Sequence, residues 1–100
     1  MDKINICGVH FAIKEVDEIP TNIKDEIVHG EIHHSKAVIL LRESLPKDLK
    51  DLAVIHEWVH GAFVMIGRND LSDDETLVQN IALAIYNTFE RKSVTNIAKE

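Results

Sequence analysis

The sequence predicts an α+β fold: a short antiparallel sheet of about three strands followed by two helices. Three observations carry that reading. Up to residue 45 the apolar residues come in short, partly alternating runs broken by Gly8, Pro20 and Gly30. From Pro46 onward they recur every three or four residues, the period of a helix. The 100 residues, 45% hydrophobic and 28% charged, suit one globular domain and leave no room for a second. That domain divides into a strand region (1–45), a helix pair (46–92) and a polar tail (93–100) expected to fray.

The elements follow in order. Val9, Phe11 and Ile13 alternate with His10, Ala12 and Lys14, the pattern of a half-buried strand. Ile27–His33 continues in the same way, with Gly30 marking a bulge or the close approach of another group. Lys36–Arg42, centred on the aliphatic run Ala37–Leu41, is the third strand, and His34-Ser35-Lys36 is the loop before it. Ser44-Leu45-Pro46 can open a helix, because proline's missing N–H costs nothing in the first turn. Leu49, Leu52, Ile55, Val59, Ala62, Phe63 and Ile66 then trace one apolar helix face that Gly67 terminates. Arg68–Leu71 is a short loop. Ser72-Asp73-Asp74-Glu75 has the form of a capping box, and Val78, Ile81, Ile85 and Phe89 stripe a second helix that fades near Lys92.

Composition narrows the function. Lys plus Arg total 11 against 17 Asp plus Glu, a formal charge of −6, so no basic footprint exists for a phosphate backbone and no nucleic-acid partner is expected. The run Ala37–Leu41 is far short of the ~20 residues that span a bilayer, so no membrane partner is expected either. The lone Cys7, read as a small buried side chain, excludes an intrachain disulfide and fits a reducing compartment. The opening residues show no basic stretch leading into an apolar one, and a cytoplasmic location is the expectation. Oligomeric state is left open.

His56-Glu57-Trp58-Val59-His60 carries the chemistry. It is H-E-x-x-H inside a helical segment, where residues four apart share a face with Cβ atoms about 5–6 Å apart. Two imidazoles so placed can converge on one ion at ~2.0–2.1 Å per Zn–N bond. Glu57 is one residue and about 100° further round, so it flanks the ion and is a candidate general base toward a water acidified by the metal. With this chain's His and Glu content, random placement yields the pattern only roughly 0.03 times. Without a metal, the same residues would be two partly exposed histidines around a solvated glutamate.

A catalytic zinc site has three protein ligands and an open fourth position. Asp70, Asp73, Asp74, Glu75 and Gln79 follow the first helix, and Glu75 is favoured. It opens a helix that a short loop turns back against the first, and the small Ala82 on the same face permits close approach. Glu75 could instead close the capping box on Ser72, with Asp73 or Asp74 as ligand.

His56-Glu57-Trp58-Val59-His60-Gly61-Ala62, then Gly67, then Glu75 through Tyr86, resembles the small phage-associated ImmA/IrrE-type zinc metallopeptidases. These run two or three strands into an H-E-x-x-H helix, followed by a helix opening E-x-x-V. The resemblance covers about the last two-thirds of the chain. It implies Zn²⁺ held by His56, His60 and Glu75, Glu57 as general base, and a peptide or protein substrate. Where many zincins of this kind carry Asp four residues after the ligand Glu, this chain has Gln79, a neutral acceptor able to orient a ligand histidine.

The remaining candidates read as structural. His10, His29, His33 and His34 are expected to be exposed strand histidines, Trp58 packs away from the histidine pair, and Tyr86 belongs to the core. The expected activity is zinc-dependent peptide-bond hydrolysis, with an edge strand at Ala37–Leu41 holding an extended peptide. A catalytically silent, zinc-stabilised binding module is the alternative.

Overall fold

The chain begins with a tight hairpin because Cys7 and Gly8 both adopt positive φ, 50° and 92°. Strands β1 (Lys3–Ile6) and β2 (Val9–Val16) pair antiparallel with Ile6 opposite Val9. That leaves a two-residue turn whose twist matches the strands only when both residues are left-handed. Asn5 Oδ1 accepts the Gly8 N–H at 2.7 Å and fixes the turn. Cys7 is exposed at the tip, not buried as expected, since a left-handed turn residue points away from the sheet. The computed structural model describes residues 3–19 and 29–89; the start of the expected strand 27–33, the end of the second helix near Lys92 and the tail 93–100 lie outside them.

Strand β3 (Gly30–His33) leads through a single 3₁₀ turn (His34–Lys36) into β4 (Val38–Arg42). Ala37 is left-handed at φ 51° and donates its N–H to His34 O. β3 and β4 pair antiparallel, but β4 runs parallel to β2, giving the order β1-β2-β4-β3. The α+β class holds. Among the described residues the sheet has four strands rather than about three, and it is mixed rather than antiparallel. Parallel neighbours need the chain to return to the starting end of the sheet between them, and β3 makes that return: Val16 and Gly30 lie at one end, opposite Arg42 and Leu41, and His33 lies at the other, opposite Val38. β4, the strand expected at an edge, is therefore interior, and β1 and β3 are the edges.

Helix α1 (Lys47–Met65) follows Pro46, which sits just outside the first turn. It ends in a Schellman motif: Gly67 has φ 78°, its N–H bonds Val64 O, and the Arg68 N–H bonds Phe63 O. α2 (Asn69–Ser72) is one helical turn where a loop was expected, and α3 is Glu75–Phe89. α1 is covered on two sides. Toward the sheet, Ala53 and Val54 join Ile6, Phe11, Ile39 and Leu41 in one buried cluster. Toward α3, Val59 packs with Val78 and Ala82, flanked by Leu52, Ile55, Phe63, Ile81 and Ile85. Trp58 touches both clusters, and its Nε1–H donates to Asn5 O at 2.9 Å, tying α1 to β1. Gly61 lets helix and sheet meet: a Cβ there would lie 2.9 Å from the Ile6 and Ile32 Cδ1 atoms. Among the described residues no helix is long and apolar enough to cross a membrane.

Candidate metal centre

Two helices supply the site. Positions 56 and 60 stack on α1, with ring centroids 4.9 Å apart. α3 runs back against this face, placing Glu75 beside both rings. His60 Nε2 lies 2.9 Å from Glu75 Oε1 and His56 Nε2 lies 3.3 Å from Glu75 Oε2. One ligand atom from each of the three residues falls within 4.8 Å of the others. Tetrahedral ligands at ~2.0–2.1 Å from zinc would stand about 3.4 Å apart, close to what the side chains already span.

The far side of each ring is held. His56 Nδ1 is 2.7 Å from Gln79 Oε1, and His60 Nδ1 is 3.1 Å from Ser72 Oγ. Gln79 Oε1 can only accept, so His56 Nδ1 carries the hydrogen. Ser72 donates its own hydroxyl to His60 O at 3.3 Å, leaving its oxygen free to accept from His60 Nδ1. Both Nε2 atoms then present lone pairs toward the Glu75 carboxylate. Three acceptors converging on one point repel one another unless a cation or proton lies between them. Two imidazole nitrogens and one carboxylate are also the donor set that zinc takes in an open three-ligand site. The residues fit a zinc ion.

Electrostatics agree with this arrangement. Burial lowers the His60 pKa, more than the Glu75 charge raises it, which favours the neutral ring a metal requires. Glu57 is only 7% exposed. Burial raises its carboxyl to about 7; the Glu75 and Glu31 charges add to that, while His56 and a hydrogen bond from the Ile32 backbone oppose it. β3 thus holds the candidate base through a main-chain amide. Gly30 supplies the close approach anticipated from sequence: a Cβ there would sit 3.3 Å from Leu40 O, tighter than usual, and in ordinary contact with Glu57 Cγ at 3.4 Å.

These groups open onto a cleft of about 650 Å³ between β3, α1 and the α2–α3 end. His29 and His34 line it, whereas His10 is exposed at the far strand. His33 Nε2 is 2.6 Å from Glu31 Oε1 but poorly aligned for a hydrogen bond, and is otherwise without one among the described residues.

All four expected site residues, His56, Glu57, His60 and Glu75, come together here. Glu75 does not close a capping box. Asp74 caps α3 instead, its Oδ1 accepting the Leu77 N–H at 3.0 Å, and Asp73 and Asp74 are not in the cluster. Ser72 was not anticipated at the site. The signal for it was Asp74 itself, an equally good cap two residues on that frees the serine for His60. No family model, curated protein or solved structure matches this chain, so its candidate site is read from geometry and chemistry alone.

Proposed function

We propose that the chain is a zinc-dependent hydrolase of peptide bonds. The observation that carries this reading is the convergence of the His56 and His60 Nε2 atoms with the Glu75 carboxylate, each ring locked from behind by Gln79 or Ser72. Bound there, zinc would supply Lewis acidity, acidifying water and polarising a carbonyl. His56, His60 and Glu75 would hold it, and Gln79 and Ser72 would keep both imidazoles in the ligating tautomer. Glu57, beside the ligands and screened from solvent, would orient the attacking water, take its proton and pass it to the leaving amine.

β3 offers the docking edge. Arg42 N–H bonds His29 O, so the alternation of an antiparallel ladder turns the Gly30 and Ile32 main-chain groups away from β4. The Ile32 N–H engages Glu57, and the remaining groups on that edge suit an extended peptide. The edge expected at Ala37–Leu41 is thus replaced by β3, which borders the cleft.

A second reading has its own support. Residues of α1, α2 and α3 all meet at the cluster, as they would around a metal whose task is to hold a small fold together. Metal analysis of protein purified without chelators, paired with Glu57→Gln, separates the two. One zinc per chain in both proteins, with hydrolysis of a peptide library only by the parent, supports the hydrolase. Equal zinc with no hydrolysis by either favours the silent module, and parent protein free of metal removes both.

A further inference from the structure

We infer that the cleft seats a large aliphatic or aromatic side chain next to the bond being cleaved, and that Leu49 selects it. This rests on the hydrolase reading and adds a substrate class to it. α1 lines the cleft with Leu49, Leu52, Ala53, His56, Glu57 and His60. These positions recur at three- and four-residue steps, so they form one continuous stripe of the helix. One end of the stripe holds the metal ligands and the other is wholly apolar. Leu52 stands one turn before His56 and Leu49 about 10 Å before it along the axis. An extended peptide advances ~3.3 Å per residue, so a residue flanking a carbonyl at the metal projects its side chain within reach of that apolar end.

The two leucines differ in what else they do. Leu52 packs into the α1–α3 core and forms the floor of the apolar end. Leu49 is 39% exposed and belongs to neither core cluster. A single exposed leucine is ordinary on a convex surface. Leu49 instead continues the wall of a concave site, where covering it with a ligand side chain removes apolar surface from water. Glu31, Glu57 and Glu75 border the same cleft, so an acidic side chain meets repulsion as well as an apolar wall.

The test is calorimetric titration of zinc-loaded protein with dipeptide hydroxamates carrying Leu, Ala or Asp beside the chelating group. Acetohydroxamate, which has no side chain, measures the metal contact alone. The Leu compound is expected to bind about ten-fold or more tighter than the Ala compound, with the Asp compound weakest. Leu49→Ala, checked for folding and zinc content, is expected to narrow the Leu-to-Ala ratio toward unity, and Leu49→Asp to reverse it. If acetohydroxamate binds but the Leu, Ala and Asp compounds do not differ, or if Leu49→Ala leaves their ratio intact, the subsite is overturned while the metal reading stands. If zinc does not load, or acetohydroxamate does not bind, the underlying reading falls and the subsite with it.

Discussion

Glu57→Gln should stabilise the metal-free protein while abolishing hydrolysis by the zinc-loaded one. Glu57 is buried, and its folded pKa is raised from 4.5 to about 7. Below pH 4.5 the carboxyl is protonated in both folded and unfolded chains, and it contributes no pH dependence. Between 4.5 and 7 the unfolded chain releases this proton and the folded chain keeps it, so stability falls as pH rises. Above 7 the loss is complete. At 1.36 kcal/mol per unit, the shift amounts to about 3 kcal/mol, which the neutral glutamine avoids. For a domain of this size that corresponds to a difference in Tm of more than about 10 °C at pH 8. The assay is thermal unfolding of chelator-treated parent and variant from pH 4 to pH 8.5. Every other ionisable group is common to both proteins, so the difference between the two curves reports Glu57. The gap should open between pH 4.5 and 7 and then level off. In zinc-loaded protein it should shrink, because a nearby cation favours the carboxylate. Parallel curves, with a gap independent of pH, would refute the claim that burial governs this carboxyl.

Four further outcomes are expected. Ser72→Ala removes the acceptor of His60 Nδ1, and competition with a zinc dye should show affinity reduced about 10–100-fold; Gln79→Asp, a charged acceptor for His56, should raise it. Asp74→Ala deletes the α3 cap and should cost about 1 kcal/mol in urea unfolding, with zinc affinity much less affected than by Ser72→Ala. Gly61→Ala places a methyl group 2.9 Å from the buried Ile6 side chain and should lower stability by roughly 1–3 kcal/mol, without changing the preference among hydroxamates.

The local parts of this molecule are written in its sequence. The helical period from Leu49 to Ile66, the Gly67 stop and the four-residue spacing of His56 and His60 depend on contacts within a few turns, and neighbouring residues suffice to specify them. Glu75 was reachable for the same reason: a short connection after α1 admits little but an antiparallel return. The placing of Gln79 beside His56 was anticipated only through the family resemblance, in which the position four residues after the ligand Glu orients a histidine.

What tertiary structure decided is the non-local remainder. Strand β1 is four residues of weak alternation, made a strand by its partner across the Cys7-Gly8 turn. The parallel pairing of β2 with β4 joins segments far apart in the chain, and it moved the open edge from Ala37–Leu41 to β3. That edge in turn buries Glu57 and supplies the Ile32 amide that holds it. Ser72 could serve a helix end or a histidine, and only the packing of α2 against α1 chose between them. Periodicity records which side of an element avoids water; it holds no record of which distant segment will cover that side, and the chemistry of Glu57 depends on that cover.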